Sequence, residues 1–469
     1  MIRITAIGGV AWWICVWTAL LVVKAADGLA SAPRTNIVLM LADNLGYGDL
    51  GCYGNSEIQT PCLDALARQG TRCTDFYVVT SSCTPSRGAL LTGRYPQRNG
   101  LTKQLSTTEN WTGVGLPHRE RILPEYLRAA GYATACFGKW NIGFAPGSRP
   151  TERGFDEFFG CRSGNIHYFK HTYHGQYDIF RGTERFEVEG YSTDLFADAA
   201  CEFIRQHQEQ PFLLYLPFNA PHYVSRVNTA PGEKPQWQVP EKYLQQYGWT
   251  GDDQVEKHRY LAVLTALDAA VGRVLQTLDH TGLSERTLVI FLSDMGAVLR
   301  PDCGLGVASN GTLRDGAPSV YEGGVRVPAM VRWPSRLVAG SECPAVLSQL
   351  DLLPLCLSAA GVAMPSDRLL DGVNPLPWLG GQAGTPHESL VFEFEGASAL
   401  RTANLKLVRP SADKPWELYD LALDPSETRD LAPTRPKDVA RLETLYDRWR
   451  EDTKRDASLA VVNLKNPPK

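Results

Sequence analysis

Ile37-Val38-Leu39-Met40-Leu41-Ala42 is an unbroken apolar run, and it stops at Asp43. A strand with one wet face alternates polar and apolar residues. A run without alternation suits a strand buried on both faces of a parallel sheet. Three later segments repeat the pattern: Ala133–Phe137 leads to Lys139, Phe212–Leu216 leads through Asn219 to His222, and Thr287–Leu292 leads to Ser293 and Asp294. Helical patterns separate them, at Leu123–Ala130, Ser192–Gln208 and along the face Tyr260, Leu264, Leu267, Val271, Val274 and Leu278. Strands alternating with helices predict an α/β fold, with a large, mostly parallel or mixed central sheet flanked by helices. In such sheets ligands bind beyond the carboxyl ends of the strands. Asp43, Lys139, His222 and Asp294, of mixed charge, stand at four such ends and together predict a site there.

Beyond about Gly361 the texture changes. Leu390–Glu395, Asn404–Val408 and Glu417–Leu421 are short runs separated by turns, and Asp438–Thr453 carries Val439, Leu442, Leu445 and Trp449 on one helical face. This predicts a small antiparallel sheet with a packed helix. The expected division is a main domain over 34–361 and an α+β subdomain over 362–469. Trp140–Gly190 and Tyr223–Gln254 show no periodicity and are expected to be long loops, either shaping a substrate or decorating the surface.

The 469 residues are 43% hydrophobic and 21% charged, which excludes intrinsic disorder. Lys and Arg total 47 against 51 Asp and Glu, a net charge of -4 that gives no electrostatic basis for nucleic-acid binding. Arg3 precedes an uncharged, largely apolar run from Ile4 to Val23, closed by Lys24. Residues 1–25 are expected to be a secretory signal peptide, with an uncleaved membrane anchor as the alternative. Both place the body outside the cytoplasm, as a secreted, periplasmic or other extracytoplasmic protein. Eleven cysteines are too dilute for a disulfide scaffold. Asn110-Trp111-Thr112 and Asn310-Gly311-Thr312 are glycosylation sequons.

The chemistry is concentrated in Ser81-Ser82-Cys83-Thr84-Pro85-Ser86-Arg87-Gly88-Ala89-Leu90-Leu91-Thr92-Gly93-Arg94. Pro85 suits the first turn of a helix, so Cys83 is expected at a helix N-terminus, where free N–H groups favour anions. Arg87 lies one turn on, on the same face. A nucleophile, a forked cation and a helix N-terminus suit a tetrahedral oxyanion; a structural cysteine beside a surface arginine is the plainer alternative.

Cys83-Thr84-Pro85-Ser86-Arg87 resembles the Cys-x-Pro-x-Arg signature of type I sulfatases, members of the alkaline-phosphatase-like superfamily. Gly93–Gly100 resembles that family's second signature. The likeness continues in order through Ala42–Asp49, Gly138-Lys139-Trp140, Ala220-Pro221-His222, Ser293-Asp294, Tyr321–Pro328 and Glu417–Leu421 with Asp424-Pro425. The resemblance implies that a formylglycine-generating enzyme oxidises Cys83 to formylglycine. The hydrated aldehyde would attack sulfur, and its second hydroxyl would then expel sulfate. It also implies a divalent cation, usually calcium, held by Asp43, Asn44, position 83 and Asp294. Arg87 would hold the hydrate, Lys139 would neutralise a sulfate oxygen, and His222 would serve the leaving oxygen. The implied partner is a sulfated small molecule or glycan.

Four positions depart from the family. Asn44 stands where an aspartate is usual, Asn141 for a histidine, Met295 for an asparagine or glutamine, and Ala317 for a lysine. A ligand charge is lost at 44, and 295 offers only a soft thioether, a poor calcium partner. Asn141 cannot act as acid or base near neutral pH, and Ala317 removes a cation. Three functions are therefore open: a sulfatase with an altered site, an impaired sulfatase-fold protein that binds sulfated ligands, and a related phosphoester or phosphonate hydrolase.

Overall fold

The computed structural model describes residues 1, 34–105, 114–144, 146–225, 228 and 236–458. The expected signal segment, beyond Met1, and the sequon at Asn110 lie outside the described residues. From Thr35 on, these residues form one compact unit, and the expected boundary after Gly361 falls at the end of the helix Leu352–Ala360.

Ten strands form the main sheet, in the order 341–343, 71–73, 329–332, 287–293, 36–42, 212–217, 133–139, 157–161, 179–181, 184–185. The five middle strands, from 287–293 to 157–161, are mutually parallel. Antiparallel partners close both sides. The four apolar runs are all among the five parallel strands, which is why they lack alternation. Along Asn36–Ala42, Ile37, Leu39 and Leu41 enter one core while Val38, Met40 and Ala42 enter the other. The second core is covered by the helices Pro61–Gln69, Ser192–Gln206 and Glu256–His280. The first takes Leu90 and Leu91 of the helix Cys83–Thr92, with the helices Leu123–Ala129 and Leu352–Ala360. The helix Glu256–His280 is long and apolar enough to cross a membrane, but it is largely buried here as a core helix.

The segment 140–190 is not one loop. It carries the strand Glu157–Cys161, the two short strands that follow it at that end of the sheet, and a hairpin of Thr172–Tyr173 with Gln176–Tyr177. Four of these five strands have only two or three residues, too short to show a period, and most of their residues are partly exposed.

The C-terminal sheet has four antiparallel strands, Leu390–Phe394, Ala397–Arg401, Leu405–Arg409 and Glu417–Asp420. The second strand escaped the apolar pattern because it opens with Ala, Ser and Ala. The turn before it is a two-residue hairpin, with φ of 44° at Glu395 and 90° at Gly396. The helix Pro436–Lys454 packs Leu442 and Tyr446 onto this sheet. A buried charge network ties sheet to body: Lys406 Nζ lies 2.9 Å from Glu322 and 3.0 Å from Glu427, and Arg401 reaches Asp75 at 2.6 Å.

Candidate active site

Four of the five parallel strands each deliver one group to the same floor. Asp43 follows Asn36–Ala42, Lys139 ends its strand, His222 follows Phe212–Pro217, and Asp294 follows Thr287–Ser293. The helix Cys83–Thr92 points its first residue at them, with Ser82 extended before it and Pro85 in its first turn. Every residue of this helix is buried, so its position is fixed by packing along its whole length.

The charges pair across the floor. Lys139 Nζ donates to Asp43 Oδ2 at 2.6 Å. Arg87 donates from Nε at 3.0 Å and from Nη2 at 2.8 Å to Asp294 Oδ2, and from Nη1 to the Lys139 carbonyl at 2.9 Å. Its Nη2 is also 3.8 Å from Asp43. Two carboxylates thus face two cations, all fully buried. Burial pushes the Asp43 carboxyl up, but Lys139, His222 and Arg87 outweigh it and hold the group below its ordinary value. Burial likewise opposes the Lys139 charge, and Asp43 restores it, leaving the ammonium's pKa raised. Asp294 is raised, by burial first and by the Asp43 charge second.

Cys83 Sγ lies 3.5 Å from Asp43 Oδ1 and 3.9 Å from Asn44 Oδ1. Burial, with Asp294 and Asp43 nearby, pushes its thiol up, so the unmodified side chain is a poor nucleophile. His222 Nδ1 donates to the Tyr223 carbonyl at 2.6 Å, which leaves Nε2 without the proton in the neutral ring. Burial lowers this ring's pKa despite Asp43. Asp43, Cys83 and His222 each offer a donor atom within 4.8 Å of the others, a possible metal group. Above them opens a cavity of about 610 Å³, whose lining includes Asn44, Cys83, Lys139 and His222.

The four departing positions lie in or beside this floor. Asn44 donates its backbone N–H to Asp294 Oδ1 at 3.0 Å. Asn141 Oδ1 accepts from Thr84 Oγ1 and Gln104 Nε2, both at 3.2 Å. Met295 lines the cavity, and Ala317 is buried next to Pro318, which also lines it. Sequence reasoning missed Gln104, whose Oε1 takes the free Thr84 N–H at 3.0 Å, and Ser86, which donates to the Asp294 carbonyl at 2.6 Å. It also missed Arg300 and Tyr173 on the cavity wall. Ser86 occupies a variable position of the Cys-x-Pro-x-Arg signature, and no motif marks the other three, whose partners or neighbours come from chain segments distant in sequence.

Residues 35–362 match the sulfatase family model, and 318–449 match that of the N-sulphoglucosamine sulphohydrolase C-terminal region. The chain belongs to the sulfatase family. It is 37% identical over 402 residues to the N-acetylgalactosamine-6-sulfatase of Canis lupus familiaris, covering 78% of this chain and 70% of the relative. Against arylsulfatase A of Homo sapiens it is 34% identical over 469 residues, covering 88% and 86%. The structure of Ps i-CgsB, solved with k-i-k-neocarrahexaose, superposes with a TM-score of 0.80 at 29% identity, over 91% of this chain and 94% of that one. Membership at this level makes this sulfatase a hydrolase acting on sulfate esters.

Proposed function

We propose that this sulfatase hydrolyses a sulfate ester carried on a sugar, with position 83 matured from cysteine to formylglycine. One observation carries this reading: Cys83 is the first residue of a buried helix, at the floor of the cavity, 3.5 Å from Asp43. As formylglycine, position 83 would supply a hydrated aldehyde whose hydroxyl attacks sulfur and whose second hydroxyl allows sulfate to leave. Lys139 faces the cavity and neutralises a sulfate oxygen as charge builds on it. His222, its tautomer set by the Tyr223 carbonyl, lines the cavity with Nε2 bare in the neutral ring, and serves the leaving oxygen as an acid only after Nε2 has taken up a proton. Arg87 does not line the cavity; it fixes Asp294 and the Lys139 backbone, and so the floor itself. The sugar substrate is supported by the relatives, one named for N-acetylgalactosamine 6-sulfate and one solved with a neocarrahexaose.

The residues present suit a divalent cation with one charge fewer than the family usual. Asp43 and Asp294 bring carboxylates, and Asn44 turns Oδ1 toward Cys83 while its buried Nδ2 has no partner among the described residues. These are oxygen donors of the kind calcium takes, whereas the Met295 thioether is not. Bound there, calcium would act as a Lewis acid on the sulfate. The same substitutions favour a second reading, a protein that binds sulfated sugars without turning them over. The implied setting is extracytoplasmic, with a formylglycine-generating enzyme acting before secretion.

Mass spectrometry of the Cys83 peptide, from a host with the maturation enzyme, tests the reading. An aldehyde at 83, with turnover of a sulfated sugar that Cys83→Ala abolishes, is the expected result. A quantitative thiol overturns the formylglycine proposal; an aldehyde with binding but no turnover favours the second reading.

A further inference from the structure

We propose that Cys73 and Cys343 form a disulfide that staples the edge strand Ser341–Cys343 to its neighbour Thr71–Cys73. The two strands run parallel, in the register Ser341 to Thr71, Glu342 to Arg72 and Cys343 to Cys73. Adjacent strands lie roughly 4.8 Å apart, inside the Cα separation of about 4.4–6.8 Å that a disulfide spans. Side chains of the other two register pairs already meet across this ladder. Thr71 Oγ1 and Ser341 Oγ are 2.8 Å apart, and Arg72 forms an ion pair with Glu342. Successive residues alternate faces, so Cys73 and Cys343 share the face of Thr71 and Ser341. Both cysteines are buried in the same core cluster. The two neighbouring thiols act on each other, raising Cys73 and lowering Cys343, while the Cys343 thiol donates to the Trp378 carbonyl at 3.4 Å.

One of the two cysteines, as a thiolate, attacks a protein or small-molecule disulfide of the oxidising compartment, releasing one thiol of that donor. The other then loses its proton and attacks the sulfur of the first, expelling the second donor thiol. Two cysteines are oxidised and one donor disulfide is reduced to two thiols. The strand so held has three residues and a single strand neighbour, at the outer margin of the sheet. The linked residues are 270 positions apart, a loop long enough for a large effect on the unfolded chain. The proposal requires an oxidising compartment and is independent of the chemistry at Cys83.

The test uses the full chain secreted by its host, denatured without reductant, alkylated and digested. The expected result is one linked species carrying the Cys73 and Cys343 peptides, which separates on reduction. Alkylation of both cysteines in the unreduced sample overturns the proposal. As a second measurement, reductant should lower the melting temperature of the wild type by about 3 °C and leave that of a Cys73→Ala/Cys343→Ala variant unchanged. Equal shifts in the two proteins also overturn it.

Discussion

Asn44 and Asn141 occupy matching places in the sheet. Each stands two residues beyond the end of a parallel strand, Asn36–Ala42 or Ala133–Lys139, and each is left-handed, with φ of 65° and 56°. Each also has a buried Nδ2 without a partner among the described residues. Asparagine tolerates this conformation better than most residues, so both turns are stable while the side chains keep two unspent amides in or beside the floor of the site. An orphaned buried donor costs roughly 1–3 kcal/mol, a cost that an incoming anion would relieve.

Asn44→Asp restores an anionic oxygen beside Asp43 and Asp294. Calcium affinity should rise tenfold or more by isothermal titration, while the calcium-free variant should melt earlier because a third carboxylate joins the buried pair. Equal calcium affinity in the two proteins would remove position 44 from the ligand set.

Lys139→Met takes the cation from both the sulfate and Asp43. Turnover should fall on the order of 10²–10³. Leaving Asp43 buried with only Arg87, 3.8 Å away, to offset its charge should cost roughly 3 kcal/mol of stability. A urea double-mutant cycle with Asp43→Asn should return a coupling energy above about 1 kcal/mol, since the two groups touch at 2.6 Å.

Stability should decline from acid to alkaline pH. Burial pushes Asp49 up to about 7 against hydrogen bonds from Tyr260, Gly46 and Ser309, and pushes Glu427 up to about 7 against Lys406. Their unfolded values are 3.8 and 4.5, so the folded state holds extra protons between those values and 7. That contribution is full below the unfolded values and is lost as pH rises through 7. His387, raised because Asp351 outweighs its burial, acts in the same direction. Glu322, held down to about 2 by Lys406, Arg401 and Arg326 despite its burial, loses its contribution only in stronger acid. The urea midpoint should be higher at pH 5 than at pH 8, and Asp49→Asn should flatten the difference.

Asn310 should carry no glycan. It is 2% exposed; its Oδ1 accepts from the Ala297 N–H at 3.0 Å, and its Nδ2 donates to the Asp315 carbonyl at 3.0 Å. A glycan on Nδ2 would break the second bond and could not fit. Peptide mapping after glycosidase treatment of protein from a glycosylating host should find Asn310 unchanged.

The sequence by itself determined the parallel core of the sheet and the helix that begins at Cys83. Both are written in local patterns, the runs at 37–42 and 287–292 and the Cys-Thr-Pro-Ser-Arg spacing. Burial on two faces dictates unbroken apolar strands, and proline in a first turn dictates where a helix starts. It also placed Asp43, Lys139, His222 and Asp294 at strand ends. What joins them was decided by the tertiary structure alone. Lys139 meets Asp43 across 96 positions and Arg87 meets Asp294 across 207, contacts that no local period encodes. The same holds for Gln104 beneath the helix, the short strands within 140–190 and the facing pair Cys73 and Cys343. Each is set by which strands become neighbours, a consequence of packing the whole chain around two cores rather than of any one segment's composition.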